Sequence, residues 1–414
     1  MDLHHLAPTL LLLSQCTAPP AHFTPSDDPG DYLVDDTTRY EVQLGAWRQL
    51  VPSDGLPAGS APMAANNNVD IVFHEGRLFM AWRTAETHFA SKQARIEVIS
   101  SDDSGHTWIH EHTIAMGTDV REPRFLRTAD GALLLHWFES GSIPATFAPR
   151  WMWRAERVAP GRWSAPQKFG DPGEVPWTMK GPRNGRYYMT SYLGQHYGGA
   201  QQSDIDLRFR VSDDGRGWRP LTPGQLVVYR GGVSEAAFEF DADGNLWAVT
   251  RNEDGDATGF GSHLCQAFAS ELSGWRCPAH SAPERYDSPW IFRHAGELYL
   301  VARRDVGGPY DQGLPGLTLA QQRSSYLVAY SLRPKRTALY HLDRTARRVV
   351  HLVDLPGVGD TAFASVRRTG PHTFLLANYT SPLNRPDVSW LAGQTAAEGT
   401  QIYLMTLSFV PASN

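Results

Sequence analysis

Residues 69–83, VDIVFHEGRLFMAWR, join two apolar runs through a short turn centred on Gly76. This pattern is typical of a β-hairpin, because glycine tolerates a tight turn and the flanking residues favour strands. Similar turn glycines recur along the chain, each followed by an apolar strand: Gly131, Gly185, Gly244, Gly296 and Gly370. The intervals between the six glycines are 55, 54, 59, 52 and 74 residues. A repeat of this size predicts an all-β, six-bladed β-propeller.

The alternative is a seven-bladed ring. In that arrangement, residues 33–50 and the long segment after Arg304 would contribute to an extra blade. In a six-bladed ring, residues 33–50 would instead supply the strand that completes the last blade.

The composition agrees with a large β-rich globular protein. Of the 414 residues, 41% are hydrophobic and 20% are charged, which excludes disordered, collagen-like and coiled-coil chains. The net charge is −6 and no basic run occurs, so we expect no nucleic-acid partner. The 16 histidines show no H-E-x-x-H or similar spacing, so we expect no metal and no cofactor.

The N-terminal residues resemble an export signal. Residues 6–13 form an apolar run that is too short to cross a bilayer, and LSQC at 13–16 resembles the end of a bacterial lipoprotein signal. We therefore expect export to the bacterial periplasm or cell surface, with a membrane tether through lipidated Cys16. The expected organisation is a signal peptide at 1–16, a linker at 17–32 and the propeller at 33–414.

The two remaining cysteines lie 12 residues apart across an expected hairpin. Neither Cys265 nor Cys277 belongs to a metal-type C-x-x-C motif. In an oxidising compartment this spacing favours a cross-strand disulfide.

The geometry of a blade predicts where a site would lie. The first strand and the antiparallel second strand meet at one mouth of the ring, so the start of one lies beside the end of the other. Carboxylates begin five of the first strands: Asp70, Glu122, Glu235, Asp287 and Asp360. Arginines and tyrosines stand near the ends of second strands: Arg83, Tyr192, Arg251, Arg303 and Tyr379. We expect these side chains to gather as a functional site, the alternative being salt bridges that close the ring.

Two turns carry a family resemblance. Residues 101–108, SDDSGHTW, match the S-x-D-x-G-x-T-W aspartate-box turn of sialidases and related propellers. Residues 213–218, DDGRGW, resemble a weaker copy of it. This turn is structural in that family, so it implies a fold and not a chemistry.

A second segment is similar to the sialidase active site. Glu235 is followed sixteen residues later by Arg251, which resembles the segment in which a glutamate supports the tyrosine nucleophile and an arginine binds the substrate carboxylate. Arg303 and Arg83 stand where that family has further arginines. The resemblance, over roughly residues 66–408, implies a sialidase-type propeller that acts on a glycan.

The chain departs from that family at three positions. Residues 66–70, NNNVD, replace the Arg-Ile-Pro tripeptide that supplies the first substrate-binding arginine. The acid/base aspartate expected after Arg83 is missing, and only Glu86 or His88 stands nearby. Phe363 occupies the position of the nucleophilic tyrosine, and a phenyl ring has no nucleophilic oxygen. We therefore expect a divergent branch of the family and do not expect sialic acid as its substrate.

The favoured function is an exported sialidase-like glycoside hydrolase that acts on an acidic glycan or oligosaccharide. A buried Glu122 or Asp287 would be the proton donor, because burial raises a carboxyl pKa. Glu235 would activate Tyr379 or Tyr192 as the nucleophile. The expected catalytic residues are Glu235, Asp360, Glu122, Asp287 and Tyr379, with Asp360 as an alternative nucleophile. The expected substrate-binding residues are Arg83, Arg251, Arg303, Tyr192, Asp70 and His88.

Two other functions fit the same residues. In a polysaccharide lyase that acts on uronates, His88 or His196 would move protons with Tyr192, beside an arginine that neutralises the substrate carboxylate. In a non-catalytic glycan-binding propeller, arginines together with Trp82 and Trp177 would hold sugars without turnover.

Overall fold

A computed structural model describes residues 38–195, 204–310, 313–385 and 387–412. The described strands form six antiparallel sheets arranged as the blades of a ring. The prediction of an all-β, six-bladed propeller is therefore confirmed. The expected signal peptide, linker and lipidation site, together with His196, lie outside the described residues.

Each blade contains three to five strands in near-sequential order. The chain enters at β1 (Tyr40–Val51), which belongs to the last blade. The first blade contains β2 (Ala65–His74), β3 (Arg77–Ala85), β4 (Arg95–Ser101) and β5 (Ile109–Ile114). The second contains β6 (Asp119–Arg127), β7 (Leu133–Ser140), β8 (Pro149–Ala159), β9 (Arg162–Trp163) and β10 (Gln167–Phe169). The third contains β11 (Val175–Arg183), β12 (Arg186–Gln195), β13 (Asp204–Ser212), β14 (Arg219–Pro220) and β15 (Val227–Gly231).

The other three blades follow the same plan. The fourth contains β16 (Val233–Phe240), β17 (Leu246–Asn252) and β18 (Leu264–Ala267). The fifth contains β19 (Tyr286–His294), β20 (Glu297–Asp305), β21 (Lys335–Asp343) and β22 (Arg348–Val358). The sixth contains β23 (Ser365–Gly370), β24 (Thr373–Thr380), β25 (Gln401–Pro411) and β1.

The two ends of the described chain close the ring together. Strand β1 pairs antiparallel with β25, with Tyr40 opposite Pro411 and Val51 opposite Ile402. Residues 40–51 therefore complete the sixth blade, and the seven-bladed alternative is wrong. The long segment after Arg304 instead contains a helix and the two outer strands of the fifth blade.

The innermost strands are buried on both faces. Every residue of β2, β16 and β19 is buried, because neighbouring blades cover the two faces of each strand. In the first five blades, the innermost strand pairs with the next strand through a bulge close to its start. Asn68, Glu122 and Ser288 occupy such bulges with φ of 50°, 57° and 52°. A bulge breaks the strict alternation of strand side chains, so it redirects side chains at the mouth.

Carboxylates tie the turns between outer strands. Between β4 and β5, Asp103 accepts hydrogen bonds from the backbone N–H groups of His106, at 2.9 Å, and Thr107, at 2.8 Å. The indole of Trp108 donates to the Gly105 carbonyl at 3.0 Å and is buried. Asp214 accepts comparable bonds from the backbone of residues 216–217 in the third blade.

A cation–π layer fills the centre of the ring. The guanidinium of Arg124 lies 4.0 Å from the ring centroid of Phe363, 5.3 Å from that of Trp177 and 5.4 Å from that of Trp290. Its Nε also donates to the Trp177 carbonyl at 2.9 Å. Burial lowers the pKa of Arg124 to about 10, which still leaves it charged at neutral pH. The layer joins blades two, three, five and six.

Two helices cover part of one mouth. Helix α1 (Leu319–Leu332) lies between β20 and β21, and α2 (Trp390–Thr395) lies between β24 and β25. Tyr330 of α1 packs edge to face against Trp390 of α2, with 5.2 Å between ring centroids. Neither described helix is long and apolar enough to cross a membrane.

A disulfide joins Cys265 to Cys277 in the fourth blade. Replacing both cysteines with alanine should lower the free energy of unfolding by about 2–4 kcal/mol, because the unfolded chain loses a cross-link. Urea denaturation of the oxidised proteins measures this difference. Reductant should shift the wild-type curve toward that of the variant and leave the variant unchanged. Superimposable curves for the two oxidised proteins would contradict the prediction.

Candidate functional site

A cavity of about 110 Å³ opens at the mouth where the innermost strands begin. All six blades and α2 contribute side chains to it. The lining residues are Asn68, His88, Arg121, Glu122, Phe147, Tyr192, Glu235, Arg251, Glu253, Ser288, Arg303, Phe363, Tyr379 and Trp390. The structure therefore gathers seven of the expected site residues in one cavity: Glu122, Glu235, Tyr379, Arg251, Arg303, Tyr192 and His88.

Arg251 is surrounded by three carboxylates. Its Nη1 lies 2.6 Å from Glu235 Oε1, its Nη2 lies 2.8 Å from Glu253 Oε1, and its Nε lies 3.3 Å from Asp287 Oδ2. The second oxygen of Glu235 accepts a hydrogen bond of 2.8 Å from the backbone N–H of Ser288. Burial raises the pKa of Glu235, while the charge of Arg251 opposes that shift. Glu235 is therefore held at both oxygens in a fixed orientation.

Asp360 connects a histidine to a tyrosine. Its Oδ2 lies 2.6 Å from His88 Nδ1, and its Oδ1 accepts a 3.0 Å hydrogen bond from the Tyr379 hydroxyl. Burial lowers the pKa of His88 although Asp360 opposes this, so the imidazole is neutral at neutral pH. If Nδ1 carries the proton toward Asp360, Nε2 has a free lone pair. Burial and then the charge of Asp360 raise the pKa of Tyr379 well above its usual value, so the phenol keeps its proton.

Arg303 has only neutral hydrogen-bond partners within the part of the chain that the structure describes. Its Nε donates to the Thr361 carbonyl at 2.6 Å, and Nη1 and Nη2 donate to the hydroxyls of Tyr330 and Tyr379 at 3.3 Å each. Nη2 also donates to the carbonyl of residue 362, and the guanidinium lies 5.1 Å from the Trp390 ring centroid. These contacts orient the guanidinium through neutral groups, while the charges of Asp287 and Asp360 act on it without a direct hydrogen bond.

Glu122 is a buried acid on the bulge of β6. Its residue is 8% exposed, and its Oε2 has no hydrogen-bond partner among the described residues. Burial and then the charge of Glu235 raise the pKa of Glu122 to about 8. The carboxyl is therefore protonated at neutral pH and able to donate a proton into the cavity.

Several solved structures share the overall fold of this chain. No family model and no curated protein matches the sequence. Among solved structures, the phage phi92 endosialidase has a TM-score of 0.57 at 9% identity, over 89% of this chain and 70% of that one. The Trypanosoma rangeli sialidase in complex with sialic acid has a TM-score of 0.52 at 11% identity, over 90% of this chain and 59% of that one. The chain has the fold of the sialidase-type propellers.

A third similar structure carries no functional name. A protein of unknown function from Dyadobacter fermentans DSM 18053 has a TM-score of 0.59 at 12% identity. The match covers 89% of this chain and 99% of that one. At these identities the likeness concerns the fold of the sialidase-type propeller alone.

Phe363 lines the cavity of this sialidase-type propeller. Phe363, which we expected at the position of the tyrosine nucleophile, therefore does face the site. Its ring packs against Trp177, at 5.1 Å between centroids, and against Arg124. Trp177 and Trp82 are themselves buried, so they are core residues and not the sugar-stacking surfaces of the glycan-binding alternative.

Asp70 does not reach the cavity, contrary to expectation. It lies opposite Ala81, beyond the bulge of β2, where the second blade has Arg124 opposite His136. Its Oδ2 accepts from the Phe125 backbone N–H at 2.7 Å and its Oδ1 pairs with Arg367 at 3.2 Å. In the sequence, the five acids stand at equivalent positions of their strands, but only some of them lie on the mouth side of the bulge. Asp70 lies beyond the bulge and joins three blades through its contacts.

Arg83 also lies outside the cavity. Of the three arginines that we expected in one site, only Arg251 and Arg303 line the cavity. Its side chain is fully buried. Nε donates to Asp119 at 2.9 Å and Nη2 donates to the Phe89 carbonyl at 2.9 Å. Arg83 therefore joins the first two blades and does not fit a substrate contact.

Asp287 and Asp360 lie behind the lining residues, and both are fully buried. Burial opposes ionisation of Asp287, but the charges of Arg285 and Arg251 outweigh it and hold its pKa below the usual value. An ionised Asp287 does not fit the expected proton donor. The two aspartates instead orient residues that line the cavity.

Several lining residues were not among the expected ones. Arg121 precedes Glu122 and donates to the His88 carbonyl at 2.8 Å. Glu253 lies two residues after Arg251, so strand alternation could have indicated it. Trp390 belongs to a short helix and gave no repeat signal. Among the described residues, no group of three His, Cys, Asp or Glu side chains is arranged to hold a metal ion.

The raised pKa of Glu122 predicts a pH-dependent stability. The folded state keeps a proton between pH 4.5 and about 8 that the unfolded chain releases, so this group destabilises the fold as the pH rises through that window. Glu122→Gln should remove the effect and gain stability over wild type by up to about 1.4 kcal/mol per pH unit there. Urea denaturation at several pH values measures it.

Glu271→Gln is the matched control, because that side chain is 63% exposed. It should follow the wild-type pH dependence. A Glu122→Gln curve parallel to wild type at all pH values would show that the Glu122 pKa is not raised.

Proposed function

We propose that this chain is a sialidase-like glycoside hydrolase whose substrate is an acidic glycan bound in the cavity. The observation that carries the proposal is Glu122, a buried carboxyl that keeps its proton at neutral pH and has an oxygen without a partner among the described residues. Most glycoside hydrolases place such an acid near a second carboxyl group. The sialidase-type fold supports this chemical class.

The reaction divides between two carboxyl groups. Glu122 donates its proton to the glycosidic oxygen as the bond to the anomeric carbon breaks. Glu235, held by Arg251 and the Ser288 N–H, stabilises the cationic centre and accepts a proton from the attacking water. The water oxygen remains on the sugar. Glu235 then releases its proton to solvent while Glu122 takes one up, which restores both groups for the next turnover.

The remaining residues of the cavity position these groups or the substrate. Tyr379 keeps its proton and donates to Asp360, which supports a hydrogen-bonding role and not that of a nucleophile. Arg303 offers a positive charge to a sugar carboxylate or sulfate, since its own partners are neutral. This is why we propose an acidic substrate.

Export remains part of the proposal. The disulfide between Cys265 and Cys277 fits an oxidising compartment. We propose the periplasm or the cell surface as the location, with Cys16 as a lipid anchor.

Assays with uronate oligosaccharides, sulfated glycans and sialosides test the hydrolase. Glu122→Gln should reduce release of reducing sugar by about 10²–10⁴-fold, because the leaving group is no longer protonated. Glu271→Gln is the control and should leave the rate unchanged. Undiminished turnover by Glu122→Gln would contradict the assignment. Binding of a glycan without any product would favour the non-catalytic alternative.

The charge of Arg303 can be tested separately. Arg303→Gln should raise KM for an acidic oligosaccharide by about tenfold or more, with a smaller change in kcat, because a ground-state contact is lost. Steady-state kinetics measure both parameters. Arg304→Gln is the matched control, because Arg304 pairs with Asp354 outside the cavity. An unchanged KM in Arg303→Gln would contradict carboxylate recognition by this residue.

A lyase that acts on uronates is the second candidate. The contact of 2.6 Å between His88 Nδ1 and Asp360 favours it, since an aspartate-oriented neutral imidazole is suited to proton abstraction. The same assays separate the two reactions. An unsaturated product that absorbs in the ultraviolet would favour the lyase over the hydrolase.

A further inference from the structure

A second cavity, of about 210 Å³, opens at the opposite mouth of the ring. It is formed where the innermost strands end and not where they begin. Residues 125–127 of β6, 179–183 of β11 and 366–368 of β23 all contribute to it. With residues 72, 239–240 and 292–293, the innermost strands of all six blades contribute to the second cavity.

The charged side chains that line this cavity are mostly cationic. Six cationic side chains line it: Arg127, Lys180, Arg183, Arg293, Arg367 and Arg368. Glu239 is the single carboxylate among its described lining residues, and it pairs with Lys180 at 2.9 Å. Such a concentration of cations is unexpected in a chain with a net charge of −6. It attracts anions, because a concave surface with low-dielectric walls focuses the field.

Ring faces and backbone carbonyls hold the guanidinium groups in place. The guanidinium of Arg183 lies 4.8 Å from the Phe240 ring centroid, and that of Arg368 lies 4.6 Å from the Phe374 ring centroid. Nη2 of Arg368 donates to the Arg293 carbonyl at 2.8 Å. These contacts pre-orient planar donor groups. Another cation of the cavity, Arg367, pairs with Asp70 at 3.2 Å.

The two cavities are separated by the Arg124 layer. Phe363 of that layer lines the first cavity. Trp290, on its other side, lies 5.1 Å from Lys180 Nζ and 4.8 Å from the Arg367 guanidinium, and both cations line the second cavity. A ligand in the second cavity therefore does not share the volume in which Glu122 and Glu235 lie.

We propose that the second cavity is a binding site for an oxyanion group, namely a phosphate or sulfate group. Arginine forks recognise tetrahedral oxyanions through paired N–H donors, and five arginines line this cavity. Phe240, Phe292 and Phe374 also line the cavity, but they are buried, so they support the cavity wall and do not offer a surface for sugar stacking. This proposal does not rest on the hydrolase activity.

Isothermal titration of the full chain with inorganic phosphate or inorganic sulfate tests the site. The reference titration uses sodium chloride at equal ionic strength, which removes general screening. We expect saturable binding of one ion per chain, and at least tenfold weaker binding in Arg183→Gln combined with Arg368→Gln. Arg348→Gln, on outer strand β22 and 69% exposed, should bind like wild type. Absence of saturable binding above the chloride reference would overturn the proposal.

Two further measurements keep the test decisive. Arg183→Lys retains the charge but not the fork, so it should bind with intermediate strength if the guanidinium geometry matters. Should the double variant lose its native near-ultraviolet dichroism, the single variants Arg183→Gln and Arg183→Lys replace it, and equal binding by these two and wild type would refute the site. Titration with glucose 6-sulfate and glucose 6-phosphate then identifies which ester is preferred.

Discussion

The bulge near the start of the innermost strands is the constraint on which the site depends. These strands are covered on both faces by neighbouring blades, so a regular strand would bury every side chain in a seam. The bulge turns Asn68, Glu122 and Ser288 into the mouth, at the cost of a left-handed backbone of about 1–2 kcal/mol per residue. Because the bulge recurs in five blades, polar side chains from several strands meet in one cavity.

Charge is distributed through the middle of the molecule in two different ways. At the first mouth, Arg251 is matched by Glu235, Glu253 and Asp287, so the guanidinium serves to orient carboxylates. In the central layer, the aromatic rings around Arg124 supply most of its contacts. This difference explains how a buried arginine is tolerated at the axis, where the faces of three aromatic rings attract its charge.

The fold could be predicted from the sequence because its signal is periodic. Turn glycines at similar intervals indicate a repeated unit, even where the sequences of the strands differ. The mouth was also predictable, since antiparallel pairing brings Asp287 opposite Arg303 in one blade and Asn67 opposite Arg83 in another. What each side chain does there was not predictable, because the bulge shifts register by one residue.

Asp70 and Glu122 illustrate that limit. Both are acids near the start of an innermost strand, yet one falls beyond the bulge and the other on it. Arg83 and Arg303 end equivalent second strands, but a buried Asp119 binds the first while carbonyls and hydroxyls bind the second. Trp390 reaches the cavity from a helix inserted between β24 and β25. The repeat does not predict such insertions.

The pairing of β1 with β25 has a consequence for biosynthesis. Residues 40–51 leave the ribosome before the first five blades, but their partner strand at 401–411 is made only after those blades. The first five blades can form their hairpins in order as they emerge, whereas the ring stays open until residues 401–411 have been made. The nascent chain must therefore keep β1 unpaired until then, and even in the folded blade only Leu50 and Val51 of β1 are buried.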